Sequence, residues 1–222
     1  MSSKFEEKAG VYLLFSRLFQ KAPNVSLLKE IAQKKLLTLA YHFFESTLPK
    51  EILLLEEPGC AEAAEEIAIE YTSLFVAPGN YYIPLYESFY CDTLTIDTST
   101  ADSPYFQPQG MPSGTKGFLY GFSARAVEKS YREGGLELDP KFHDLPDHIA
   151  CELEFVGRLY EEGKIDLAEV FLRNHLGRWV FDFLNNVQKQ CLSVFYQRVA
   201  SSLNNFLTDE CCIKFDQSSA AR

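Results

Sequence analysis

Apolar residues recur at intervals of three and four through both ends of this chain, a period that commits most of it to helices packed on one another. Val11, Tyr12, Phe15, Leu18 and Phe19 form one such stripe, behind Ser3-x-x-Glu6, which has the form of a capping box. Pro23-Asn24 breaks it, and a second helix is expected from about Ser26 to Phe44, with Leu28, Ile31, Leu36, Leu39 and Phe43 on one side. A short helix after Pro49 should end near Pro58-Gly59. The next carries Ile67, Tyr71 and Leu74 and stops at Ala77-Pro78-Gly79. In the last third a helix runs from Asp166 to about Leu176. Trp179, Phe183 and Val187 then repeat every four residues, and Leu192, Phe195, Val199, Leu203 and Phe206 form a final stripe.

The middle behaves differently. From Pro78 to Gly114 no period holds, and the segment contains Pro78, Pro84, Pro104, Pro108 and Pro112. A connection this long inside a compact domain tends to be functional. Strand alternation is confined to Thr93–Thr98. Helix resumes from about Thr115 to Arg132 and should stop at Gly134-Gly135. The chain therefore reads as all-α: one helical domain over residues 1–215, with a disordered tail at 216–222.

Composition narrows the function classes. The 222 residues carry a formal net charge of −10, and no Lys/Arg run is present to meet nucleic-acid phosphates. The six cysteines (Cys60, Cys91, Cys151, Cys191, Cys211 and Cys212) form no Cys-x-x-Cys pair, which fits neither zinc nor a disulfide framework. No signal peptide opens the chain, and no apolar run reaches the ~18 residues of a membrane span. A cytoplasmic protein with reduced thiols is expected.

Two stretches hold polar and aromatic residues at element ends, where a site can be built without disturbing a core. One is Glu70 to Tyr90, EYTSLFVAPGNYYIPLYESFY; the other is Leu145 to Phe155, LPDHIACELEF. In the second, Asp144 suits a helix N-cap, with Pro146 in the first turn and Asp147 at the third position. His148, Cys151, Glu152 and Phe155 would share a face, with Glu154 roughly opposite Glu152. A metal on the His-x-x-Cys-Glu face is one reading, but catalysis finds no motif. Ser88 lacks a Gly-x-Ser-x-Gly elbow, Asp147 and His148 diverge on a helix, and Gly110-x-x-x-Gly114-Thr115-Lys116 has the wrong spacing for a phosphate loop. The chain reads as a binding protein, not an enzyme, with no cofactor.

Three signatures resemble the TorD/DmsD/NarJ family of molybdoenzyme maturation chaperones, its TorD-like branch in particular. They are Glu70-Tyr71-x-x-Leu74-Phe75 with Pro84-x-Tyr86-Glu87-Ser88-x-Tyr90; Pro146-Asp147-His148-Ile149-x-x-Glu152-Leu153-Glu154-Phe155; and Phe171-Leu172-x-x-His175-Leu176-x-x-Trp179, with Phe195-Tyr196 downstream. One departure is Ile83-Pro84-Leu85-Tyr86, where family members often carry two consecutive prolines.

The resemblance implies a helical bundle of the TorD-like type that binds the catalytic subunit of a molybdopterin-containing oxidoreductase. It implies binding at the client's twin-arginine signal peptide, holding it for cofactor insertion before export. The implied client-binding residues are Leu74, Phe75, Pro84, Tyr86, Glu87 and Ser88 on one side, and Asp147, His148 and Glu152 on the other. Carboxylates at Glu87, Asp147 and Glu152 would accept arginine hydrogen bonds, and aromatics would take the apolar part. Glu70 and Glu154 are left to internal pairing or capping, and Trp179 and His175 to structure. Implied partners also include cofactor-delivery proteins but no nucleic acid and no membrane. The expected state is mainly monomeric, with a domain-swapped dimer open to the long central connection. Two alternatives from the residues alone are a helical adaptor without a redox client and a metal-binding protein.

Overall fold

The computed structural model describes residues 2–32, 57–93, 119, 121–139, 142, 144–190 and 194–219, with the side chains of those between Phe5 and Glu210 other than 57–60. Two long elements carry the framework: α1 (Ser2–Gln20) and α6 (Ile149–Glu161). Between them in sequence lie α2 (Val25–Ala32), α3 (Glu57–Tyr71), α4 (Glu87–Cys91) and α5 (Phe122–Glu133). After α6 come α7 (Ile165–Asn174), α8 (Val180–Lys189) and α9 (Val194–Ser219). Among the described residues there is no strand, and one isolated antiparallel bridge pairs Tyr86 with His148. The fold is all-α.

The helical period explains the packing. Tyr12, Phe15, Leu18 and Phe19 of α1 are fully buried, as are Leu153, Val156 and Leu159 of α6. These two stripes face each other, because a helix with one apolar face must bury it against another. Gly157 lets them approach closely: a Cβ there would stand 3.0 Å from the Leu13 side chain and 3.3 Å from the Ala9 carbonyl oxygen. The Ser16 hydroxyl adds a hydrogen bond to the Ala150 carbonyl at 2.8 Å. Behind α1, Phe19 meets Phe183 of α8 edge to face at 5.5 Å, and Phe75 meets Tyr196 of α9 at 5.1 Å.

Several boundaries move for local reasons. Helix α1 is already formed at Ser2, so Ser3 lies within it. Pro58-Gly59, expected to end a helix, instead lies within α3. After Tyr71 the chain widens into one π turn, Thr72–Val76, closed by Ala77 N–H to Thr72 O at 2.7 Å. Helix α5 starts at Phe122, later than the Thr115 expected, and stops at Gly134-Gly135 as expected, with Gly135 at φ 77° and Leu136 N–H bonded back to Tyr131 O. Helix α9 runs through Ser219, into the segment read as a disordered tail. The helices expected over 33–44 and after Pro49, the Thr93–Thr98 alternation beyond Thr93, and most of the segment to Gly114 lie outside the described residues.

Overpacking the contact between α1 and α6 should be costly. Gly157→Val is expected to destabilise the protein by about 1–3 kcal/mol, because its branches have only the Leu13 side chain and α1 backbone to displace. Urea unfolding of the purified variant measures it; a midpoint equal to that of the parent would show that the two helices separate freely.

Candidate functional site

The two stretches singled out in the sequence meet as one splice. Segment 83–88 lies antiparallel to segment 145–149: Glu87 N–H donates to Asp147 O at 3.0 Å and Ile149 N–H to Leu85 O at 2.8 Å. The same segment is tied to the π turn by Ile83 N–H to Leu74 O at 2.7 Å. Side chains reinforce the splice. Asp147 Oδ2 accepts from Ser88 N–H at 2.8 Å, which caps the short helix α4 from a different element. Tyr86 O–H donates to Asp144 Oδ1 at 2.9 Å, and Tyr131 O–H donates to Pro146 O at 2.8 Å.

The start of α6 differs from its sequence reading. Its N-cap is His148, not Asp144, and Asp144, Pro146 and Asp147 lie ahead of the helix. Pairing with segment 83–88 holds residues 145–148 out of helical geometry, so tertiary hydrogen bonds override a plausible local cap. His148 Nδ1 accepts from Ala150 N–H at 3.1 Å, which fixes a neutral ring with its proton on Nε2. Burial pushes His148 down from its ordinary value to about 4, against an opposing pull from Asp144.

Glu87, Asp147 and Glu152 have no solvent exposure at all. Leu74, Phe75, Pro84, Ser88 and His148 are buried too, and Tyr86 is half-buried. The carboxylates expected to receive client arginines thus face one another inside the protein. Glu87 Oε2 sits 3.1 Å from His175 Nδ1, and Arg178 Nη1 approaches Glu87 Oε1 at 3.7 Å from a half-exposed position. His175 Nε2 is in turn 3.2 Å from the Ser130 hydroxyl. Glu152 Oε2 accepts from the Trp179 indole N–H at 3.3 Å.

Glu152 also hydrogen-bonds Glu87, and two adjacent buried carboxyls cannot both be ionised. Burial first, and the Glu87 charge second, push Glu152 well above the usual carboxylate range. Glu152 is the carboxyl pushed toward its protonated form, and Glu87 lies beside the His175 imidazole and the Arg178 guanidinium. Glu87 Oε1 and Glu152 Oε1 accept no hydrogen bond within the protein, and Arg178 Nη1 stands 3.7 Å from Glu87 Oε1. Asp147 is likewise raised by burial, partly offset by its hydrogen bonds from Ser88.

Sequence reasoning placed Trp179 and His175 as structural residues, and both hold the acid cluster together. It left Glu70 to internal capping, and Glu70 Oε1 accepts from Tyr196 N–H in the first turn of α9. Glu154, opposite Glu152, is half-exposed and pairs with Arg158. What the sequence did not offer is the outer face of the splice. There Tyr81 and Tyr82 are exposed, and the Asp144 charge reaches the hydroxyls of both Tyr82 and Tyr86. Val76, at the end of the π turn, is also exposed. Among the described residues no group of His, Cys, Asp and Glu is arranged to hold a metal.

A family model described as the nitrate reductase delta subunit matches residues 28–185, a span holding both stretches and the whole acid cluster. The chain belongs to this family, which includes the TorD and NarJ proteins. It is 22% identical over 202 residues to a chaperone protein TorD from Shewanella pealeana, covering 87% of this chain and 83% of the relative. A chaperone protein TorD from Vibrio parahaemolyticus is 26% identical over 212 residues, covering 90% and 91%. Among solved structures, a candidate redox enzyme maturation protein from Archaeoglobus fulgidus superposes with a TM-score of 0.53 at 21% identity, over 92% of this chain and 93% of that one. That likeness shows a shared fold. Membership in a family of chaperones makes this chain a chaperone and not an enzyme.

The buried imidazole gives a pH signature. His148 binds a proton more readily unfolded than folded, so its own contribution to stability is complete above about pH 6.5 and is lost as pH falls toward 4, while the raised Glu152 and Asp147 act in the opposite sense. The loss is expected to be on the order of 2–3 kcal/mol across that window. His148→Asn, which keeps a capping oxygen, isolates this contribution: the stability difference between parent and variant in urea melts should shrink as pH falls from 6.5 toward 4, and a pH-independent difference would mean that His148 does not titrate in this window.

Proposed function

We propose that this redox-enzyme maturation chaperone holds the catalytic subunit of one molybdopterin oxidoreductase in the cytoplasm. In this reading it binds the client at a twin-arginine leader and releases it to export after the cofactor is inserted. The observation that carries the reading is the splice of segment 83–88 onto 145–149, which brings two distant polar-aromatic stretches to one place. Family membership supports a redox-enzyme client, since the relatives are named TorD chaperones.

The chemistry of the outer face suits such a leader. Two guanidiniums followed by apolar residues need a carboxylate, aromatic faces and apolar surface in close reach. Asp144, Tyr82, Tyr86 and Val76 supply these on the exposed side of the splice. Leu74, Phe75, Pro84, Glu87, Ser88, Asp147, His148 and Glu152 lie beneath it, and in this proposal they set its shape from inside. Arg178 beside Glu87 occupies the position a client arginine would take if the cluster opened. No described helix is long and apolar enough to cross a membrane, and the proposed working state is a monomer.

The test is binding of the apo form of the molybdopterin oxidoreductase subunit encoded beside this chain's gene. Calorimetry is expected to show a complex of micromolar affinity or tighter, about −8 kcal/mol or more favourable. Tyr82→Ala with Asp144→Asn should weaken it roughly tenfold with little change in melting temperature. Absence of a complex with the parent protein would remove the client assignment. An unchanged affinity in the variant would remove the outer face from the site.

A further inference from the structure

Helix α4 lies over the acid cluster as a short lid. Only five residues long, it is held at its entry by the splice and at its exit by Asp92, whose carboxylate accepts from the Ser123 hydroxyl at 2.6 Å. From α4, Glu87 reaches Glu152 on α6, and Tyr90 stacks on Trp179 at 5.3 Å. The Trp179 indole N–H is the group bonded to Glu152, so lifting α4 uncovers Glu152 and Trp179 together. The buried contact is incompletely satisfied, because Glu87 Oε1 and Glu152 Oε1 accept no hydrogen bond. Phe89, Tyr90 and Cys91 are only half-buried, and short elements with little burial are where a fold opens locally first.

We propose that α4 is a proton-latched lid: closing it over Glu152 takes up one proton, and withdrawal of that proton lifts α4 and segment 83–88 off α6. Two carboxyls held together out of water cannot both ionise, whereas both do so once water reaches them. Opening also parts Tyr86 from Asp144, so the outer face of the splice is intact only while the lid is shut. This latch does not depend on what that face binds.

The sign follows from the charges around the pair. Burial first, and Glu87 second, push Glu152 well above its ordinary value of 4.5, so Glu152 favours closure most below that value and less as pH rises. Asp147 from the strap is also raised by burial and acts in the same sense, with Asp92 adding negative charge beside it. Cys91 on α4, Cys151 on α6 and Tyr131 on α5 face the pair and are raised too, but even in water they ionise near 9 or 10. Arg178 and His175 lie on the Glu87 side of the pair. His148, at the start of α6, acts in the opposite sense, below about pH 6.5.

Hydrogen exchange of the full-length protein, followed by NMR between pH 6.5 and 8, tests the latch. Three reporters sit on the lid contact: the Ser88 and Asp92 amides and the indole N–H of Trp179, the chain's single tryptophan. After correction for intrinsic rates, their protection should fall roughly tenfold per pH unit, the slope of one released proton, while amides 153–159 of α6 keep theirs. Glu152→Gln still accepts from the indole but cannot ionise, so the ratio of parent to variant protection should change by about tenfold per unit. Protection independent of pH in the parent, a reading that needs no variant, would overturn the lid. A ratio that stays constant would take Glu152 out of the latch and overturn it as well. So would an equal fall across α1 and α6, which would mark global unfolding.

Discussion

Everything else in this protein hangs on the hydrogen-bonded splice between residues 83–88 and 145–149. Glu87 N–H and Ile149 N–H are each satisfied across it, and Asp147 caps α4 through Ser88. The strap holds residues 144–148 out of helical geometry, which moves the N-cap of α6 to His148 and turns Asp147 inward. A buried segment of irregular backbone must find partners for its polar groups, and here the two irregular segments partner each other.

The acid cluster follows from that splice. Once Glu87 opens α4 beneath the strap, its carboxylate meets Glu152 on α6 and His175 beyond α7. Three buried acids would be prohibitive as three charges. The protein manages them with a Glu152 pushed toward its protonated form, an indole N–H, an imidazole and the half-exposed Arg178. Such a network ties four separate elements at fixed distances.

Much of the scaffold was legible beforehand. The stripes of α1, α8 and α9 predicted the buried faces because an apolar residue every three or four positions has few other ways to leave water. Gly134-Gly135 and Ala77-Pro78-Gly79 ended helices where their backbone chemistry required. Pro58-Gly59 was misread as a stop, whereas both residues are helical in α3, and sequence alone does not say on which side of a proline a helix lies. The site was legible as a set of residues and not as a surface. Glu87, Asp147 and Glu152 read in the sequence as carboxylates able to receive arginine, but exposure is a property of packing, and packing buries all three while it leaves Asp144 and Tyr82 in water.

By itself the sequence determined the helical class, the helix faces and the acidic, aromatic character of two stretches. Periodicity and composition are local properties, read within a few turns of chain. The tertiary structure alone decided that these stretches pair backbone to backbone and that three acids share one buried pocket. Each of those depends on residues dozens of positions apart, brought together by burial of the α1 and α6 stripes, and no local pattern encodes which side chain that burial leaves in water.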